Sequence, residues 1–97
     1  METEKLIPGD VHPGEFILNE LNGRKMSQQE LAEGLRINKS IVSQIINGKR
    51  KVNVSIAIKL ERILAIKAEY WMSLQIKYDI KHFQKRKRNK KTGVKHI

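Results

Sequence analysis

Two helix-start signals stand close together in the middle of the chain, and they limit its fold more than any other feature. Ser27 and Glu30 form a capping box, because the serine hydroxyl can accept from the Glu30 amide while the Glu30 side chain reaches back to Ser27. Asn38 is a second good N-cap shortly afterwards. The helix between them must therefore be short. Its apolar face is predicted to consist of Leu31, Ala32 and Leu35.

The segment after Asn38 has the residue pattern of a helix that is buried on one side. Its apolar residues recur at helical spacing, and polar or basic residues occupy the opposite face. The apolar set is Ile41, Val42, Ile45 and Ile46, and the polar set is Lys39, Ser40, Ser43, Gln44 and Asn47. We predict that this helix ends at Asn47 and Gly48. Two short helices joined by a tight turn are typical of a helix-turn-helix.

Three further helices are predicted around this pair, which makes the chain all-α. One begins after Pro13 and stops at Asn22 and Gly23, because proline favours a first helical turn and Asn-Gly ends one. Another is capped by Asn53 or Ser55, and the last runs from about Ala68 to about Phe83. The fourth helix is predicted to face inward through Ile56, Leu60, Ile63 and Leu64. We divide the 97 residues into an arm (1–11), one five-helix domain (12–83) and a disordered basic tail (84–97).

Composition excludes several functional classes. The chain has no cysteine, so disulfides, thiolate nucleophiles and cysteine zinc sites are ruled out. His12, His82 and His96 are scattered, so we expect no metal, and His12 is expected to orient the first helix. No catalytic set and no glycine-rich phosphate loop stands out, so we expect neither an enzyme nor a cofactor. Residues 1–10 contain no apolar run, so they resemble neither a signal peptide nor a membrane anchor. We therefore expect a cytoplasmic protein that does not associate with a membrane.

The net charge of +10 belongs largely to the end of the chain. Beyond Asp79 there are eight basic residues and no acidic one. Net charge therefore indicates a basic tail and not, by itself, a DNA-binding fold. A second cationic stretch from Arg36 to Lys51 also has no acidic residue. It includes the helix after Asn38, which in a helix-turn-helix is the recognition helix that enters the major groove of DNA.

This coincidence favours DNA recognition over a polar face that is merely solvated. Lysine can donate to guanine, and glutamine can pair with adenine through two hydrogen bonds. We therefore assign base readout to Lys39, Ser40, Ser43 and Gln44. Phosphate contacts are assigned to Gln28, at a helix N-terminus, and to Asn47, Lys49 and Arg50, where the chain leaves the groove.

The same segments resemble a known family. Residues 26–33 and 41–50 resemble the XRE, lambda-repressor-like helix-turn-helix proteins. More narrowly, residues 12–15, 45–50, 70–71, 74–75 and 78–80 look like those of HigA-type, or VapI-like, antitoxins. The resemblance covers about Ile7 to Ile80. It implies a five-helix domain that forms a homodimer, binds its own operator and neutralises a RelE-like (HigB-type) mRNA-cleaving toxin.

The chain also departs from this family. Arg36 stands where a glycine is usual, so either it adopts a positive φ at a cost of roughly 1 kcal/mol or the turn shifts toward Gly34. Ala65 and Lys67 replace a usual glycine and a Ser or Thr cap before the last helix, and Leu18 stands where a charged residue is favoured.

The last helix is predicted to carry two apolar stripes. Trp71, Leu74 and Tyr78 form one, which we assign to the core. The other is a candidate dimer or partner surface, with folding back onto the first helix as the alternative. It consists of Met72, Ile76, Ile80 and Phe83.

Two other functions remain open at this stage. One keeps the fold but makes the protein a stand-alone repressor without a toxin, and the neighbouring gene would discriminate between them. The other is an RNA-associated or ribosome-associated protein that relies on the basic run from Lys85 to Lys91. Deleting residues 84–97 should abolish binding through the tail and spare binding through the helix-turn-helix.

Overall fold

A computed structural model describes residues 11–89, with side chains described as far as Phe83. Five helices follow one another, and residues 11–89 contain no strand. The helices are α1 (Pro13–Arg24), α2 (Gln28–Leu35), α3 (Lys39–Ile46), α4 (Val54–Leu64) and α5 (Ala68–Asn89). The prediction of an all-α, five-helix domain is confirmed.

One apolar core joins all five helices. Helices α2 and α3 pack against each other, α1 packs against α3 and α5, and α4 packs against α2 and α5. Trp71 and Leu60 are completely buried at its centre. The inward faces predicted for α2, α3 and α4 are found in the core, although Ile41 and Ile63 remain partly exposed.

The first helix ends later than predicted, at Arg24 and not at Asn22 and Gly23. Arg24 donates to the carbonyl oxygen of Leu64 at 2.8 Å and pairs with Glu20 at 3.0 Å, which stabilises the last turn. The helix then closes through Lys25, which adopts a left-handed φ of 56°.

The turn between α2 and α3 passes through Arg36, whose φ is 60°, and it is not displaced toward Gly34. Two hydrogen bonds close it in a Schellman motif: the amide of Ile37 donates to Ala32, and that of Arg36 donates to Glu33. The strain predicted for a non-glycine residue here is therefore present. Ala65 has a φ of 59° after α4, in the same conformation.

Caps explain the remaining helix starts. Asn53, and not Ser55, caps α4 by accepting from the amide of Ile56 at 2.8 Å. Helix α5 lacks the usual Ser or Thr cap. Instead, the Glu61 carboxylate accepts from the Ala68 amide at 3.0 Å and so satisfies an amide at the start of the helix. At α3, Asn38 holds the N-cap position without a side-chain hydrogen bond.

Helix α5 continues past its predicted end near Phe83 as far as Asn89, so the prediction of a disordered tail is wrong for residues 84–89. Glutamine, lysine and arginine are good helix formers, which accounts for the longer helix. The arm predicted for residues 1–11 lies outside the described residues except for Val11, and so does the tail from residue 90 onward.

Candidate nucleic-acid interface

The capping box fixes the start of α2 as predicted. The Glu30 amide donates to the Ser27 hydroxyl at 3.0 Å, and the Ser27 amide donates to the Glu30 carboxylate at 2.8 Å. Gln28, a predicted phosphate contact, is the first residue of α2 and is half-buried. It therefore lies where helix amides are unpaired and the helix dipole favours an anion.

Helix α3 is buried on one side and open on the other. Val42, Ile45 and Ile46 lie in the core. Of the predicted base-reading residues, Lys39 and Ser40 are exposed, while Ser43 and Gln44 are half-buried. All four belong to the helix itself, so the structure brings them together on one short element.

Helix α1 supports α3 from behind at Gly14. A Cβ atom at this position would overlap the carbonyl oxygen of Ile45, and it would lie 2.8 Å from the Ile46 Cα. The backbones of α1 and α3 therefore approach each other as closely as a glycine permits.

The end of α3 turns the chain sharply back. Gly48 has a φ of 77°, its amide donates to Ile45, and the amide of Lys49 donates to the carbonyl of Gln44 at 2.8 Å. This is a Schellman motif, and here glycine supplies the left-handed residue without strain. The turn places the predicted phosphate contacts Asn47, Lys49 and Arg50 beside the last turn of α3, and all three are exposed.

Arg50 makes a contact that the sequence did not predict. Its Nε donates to the Oε1 atom of Gln44 at 2.8 Å, across the turn. No sequence signal pointed to this pair, because the two residues are six positions apart and do not belong to one helix. At the C-terminal end of α3, Asn47 donates weakly to the Ser43 hydroxyl at 3.5 Å.

A polar network behind this surface was also missed. Gln75 is 3% exposed; its Oε1 accepts from the Val52 amide at 2.8 Å, and its Nε2 donates to Asp79 at 2.9 Å. Asp79 also pairs with Lys51 at 3.3 Å. The sequence did contain a signal for this network, because Gln75 follows the core residue Leu74 on α5. A buried side-chain amide requires hydrogen-bond partners, so partners for Gln75 could have been expected.

His12 holds the N-cap position of α1, in keeping with the expectation that it orients this helix. It is 6% exposed, and its Nδ1 accepts from the Gly14 amide at 2.9 Å. The ring packs edge-on against Tyr78, which in turn stacks on His82. Burial lowers the pKa of His12 below its ordinary 6.5, although Asp79 and Glu15 oppose this shift. The cap therefore uses the neutral imidazole.

The second stripe of α5 is only partly as predicted. Ile76, Ile80 and Phe83 are 51%, 53% and 57% exposed. Met72 is a correction, because it is half-buried and packs against the core. The alternative, that the whole stripe folds back onto α1, is not found for the three exposed residues.

Other kinds of site receive no support within residues 11–89. No group of three or more His, Asp or Glu side chains in this part of the chain could hold a metal ion. The helices of the same residues are too short or too polar for a membrane crossing.

Comparison with known sequences gives an independent result. A family model described as helix-turn-helix matches residues 17–71, more than half of the chain. Virulence-associated protein A' of Dichelobacter nodosus is 37% identical over 70 residues, which are 71% of this chain and 61% of that protein. The chain thus spans less than two thirds of that relative.

Solved structures agree with the sequence match. An addiction module antidote protein of the HigA family from Coxiella burnetii is similar with a TM-score of 0.79 at 35% identity, over 88% of this chain and 94% of that one. The antitoxin HigA of Pseudomonas aeruginosa, solved with the higBA promoter, also has a TM-score of 0.79, at 27% identity and with the same two coverages. The similarity extends over nearly the whole length of both solved chains.

Proposed function

Because the chain belongs to the helix-turn-helix family and is of the HigA antitoxin type, we propose that it binds operator DNA as a homodimer and represses its own operon. Proteins of this family bind DNA and are not enzymes. The observation that carries the proposal is the outward face of α3, where Lys39 and Ser40 are exposed at the N-terminal end and no acidic residue occurs from Arg36 to Lys51. A major groove admits one helix, and this face offers hydrogen-bonding groups to base edges.

Two classes of contact are proposed. Lys39, Ser40, Ser43 and Gln44 read bases, while Gln28, Asn47, Lys49 and Arg50 contact the backbone. Phosphate contacts position the protein without reading sequence, whereas base contacts select it. A protein of the same fold, the antitoxin HigA of Pseudomonas aeruginosa, has been solved with the higBA promoter, which supports DNA as the partner of this face.

The first experiment compares one residue of each class by fluorescence anisotropy. The DNA is a duplex from upstream of the protein's own gene, with a scrambled duplex as reference. Gln44→Ala should cost about 1 to 3 kcal/mol on the specific duplex and little on the scrambled one. Lys49→Ala should weaken both duplexes alike and lower the salt dependence. Equal losses on both duplexes for both variants would contradict the assignment.

The homodimer is proposed to form through α5. Ile76, Ile80 and Phe83 present an exposed apolar strip, and water-exposed strips of this kind are characteristic of assembly surfaces. A two-fold dimer would place its two recognition helices about 34 Å apart, one turn of DNA, on a palindromic site.

Sedimentation equilibrium tests this surface. Ile76→Lys combined with Ile80→Lys should convert the dimer to a monomer, because two charges would be buried at the interface. Leu18→Lys is the matched control, since Leu18 is 37% exposed on α1. A double variant that remains dimeric would place the interface elsewhere.

We further propose that the protein neutralises a RelE-like, HigB-type toxin by direct binding. The support is the type of the chain, since the similar protein from Coxiella burnetii is an addiction module antidote. Co-expression with the adjacent gene, followed by affinity capture of the tagged chain, should recover a stoichiometric small partner and should relieve the growth arrest that the partner causes alone. If neither happens, the protein is a stand-alone repressor.

A further inference from the structure

The hydrogen bond between Arg50 and Gln44 changes what the recognition surface can read. Gln44 is half-buried on α3, and Arg50 is exposed in the loop that follows. The Nε of Arg50 donates to Oε1 of Gln44 at 2.8 Å. The glutamine amide is therefore held in one orientation by a charged donor, and charge-assisted hydrogen bonds are the stronger kind.

The loop that carries Arg50 is anchored on both sides. Before it, the amides of Gly48 and Lys49 donate to carbonyls of α3. After it, Val52 is 1% exposed, and its amide donates to the buried Gln75 side chain at 2.8 Å. Because the backbone is fixed on both sides of Arg50, little backbone entropy remains to be lost when its side chain holds Gln44.

Chemistry then restricts the preferred base. Adenine presents N7 as an acceptor and its 6-amino group as a donor, so a glutamine that reads adenine needs its own carbonyl oxygen. In this structure the Arg50 Nε takes one of the two acceptor positions of that oxygen, so fewer acceptors remain for the 6-amino group of adenine. Beside the one remaining acceptor position lie the Nε2 amide of Gln44 and the terminal nitrogens of Arg50, all of which are donors, so donors outnumber acceptors at this point. Guanine offers two acceptors, N7 and O6, and no donor in the major groove.

We propose that Gln44 and Arg50 act as one unit that selects guanine in the major groove. This inference rests on the proposed DNA-binding function and revises two of its details: Gln44 does not read adenine, and Arg50 is more than a phosphate contact. Arg50 both positions Gln44 and supplies donors of its own.

Selection from a random duplex library defines the preferred site of the wild-type full chain. It should contain a guanine in each half-site whose replacement by adenine weakens binding roughly ten- to a hundred-fold. Replacing that guanine by 7-deazaguanine, which lacks the N7 acceptor, should weaken binding similarly. Inosine keeps N7 and O6 and should bind as guanine does.

Three variants separate the pair from simple charge. Gln44→Ala and Arg50→Ala should each lose the discrimination between guanine and adenine at the same base pair, and the double variant should lose no more than either alone. Arg50→Lys keeps the charge but loses the Nε donor, so it should retain affinity for random DNA and still lose the discrimination. Arg62→Ala, which removes an exposed cation from α4, should leave the base preference unchanged.

The results that overturn the proposal are distinct from a failure of DNA binding. If Arg50→Lys discriminates as the wild type does, or if Arg50→Ala weakens all duplexes alike, Arg50 is a phosphate contact only. A preference for adenine at the position sensitive to Gln44 would show that the glutamine reads alone. If the wild type binds no duplex at all, the proposed function fails and this inference fails with it.

Discussion

Substituting Gly14 by alanine should damage the fold far more than so small a change usually does. Gly14 lies at the start of α1, where an added Cβ would overlap the Ile45 carbonyl oxygen and would lie 2.8 Å from both the Ile45 carbonyl carbon and the Ile46 Cα. These are backbone atoms, so no side-chain rotation can relieve the overlap. One helix must move away from the other.

Overpacking of this kind costs roughly 1 to 3 kcal/mol, and a rigid neighbour favours the upper end. In a domain of this size, each kcal/mol corresponds to about 4–8 °C in melting temperature. At the upper end of that range, Gly14→Ala should therefore lower the Tm by roughly 12–24 °C. Gly23→Ala is the matched control, because Gly23 is an exposed residue of α1 with no neighbour within 4 Å. It should raise the stability by about 0.5 kcal/mol through better helix propensity.

Thermal unfolding followed by far-UV circular dichroism measures both variants. The affinity of Gly14→Ala for operator DNA should fall as well, because the displaced backbone is the last turn of α3. If Gly14→Ala melts with the wild type, α1 and α3 do not approach as closely as the structure has it, and the reasoning is wrong.

Three other variants test the local strain, a cap and a titrating group. Arg36→Gly should stabilise the domain by up to about 1 kcal/mol in urea unfolding, because it relieves a positive φ of 60°; destabilisation would contradict this. Glu61→Ala should cost about 0.5–2 kcal/mol by removing the acceptor of the Ala68 amide, whereas an unchanged urea midpoint would mean that the cap contributes nothing. Burial lowers the pKa of His12, so the stability it contributes is present above about pH 6.5 and is lost as the pH falls through the lowered value. His12→Asn keeps a capping acceptor that does not titrate in this range, so the decline in Tm as the pH falls below about 6.5 should become shallower than in the wild type.

Local signals in the sequence predicted the fold well. The capping box at Ser27 and Glu30 depends on residues within one turn, so the sequence contains all the information that it requires. The inward stripe of α3 follows from spacing alone, and Val42, Ile45 and Ile46 are buried as predicted. The helix-turn-helix follows from these two features.

Contacts between distant residues account for what the sequence did not predict. Helix α1 ends at Arg24 because this side chain donates to the carbonyl of Leu64, forty positions away. The helix propensities of neighbouring residues cannot predict such a bond. The departure at Arg36 indicated either a strained turn or a displaced one, but not that hydrogen bonds would hold both Arg36 and Ala65 in the left-handed region. In the same way, Met72 lies on the stripe by spacing but is covered by the packing of α5.

In the candidate site, too, the local features were predicted and the contacts between separate segments were not. Its members on α3 were predicted because they share one helix face, and their roles remain proposals. The hydrogen bond between Arg50 and Gln44 depends on the turn at Gly48, which folds the chain back beside α3. The spacing of apolar and polar residues does not predict how close this turn brings the two side chains. Only the three-dimensional arrangement shows that two residues assigned to different roles touch.

Amide chemical shifts of the 15N-labelled full chain, recorded as its operator duplex is added, test most directly whether α3 enters the groove. We expect the largest changes to fall on Lys39 to Arg50 and at Gln28, with the exposed face of α4 little affected. Changes confined to the basic end of the chain, with α3 unmoved at saturating duplex, would contradict it.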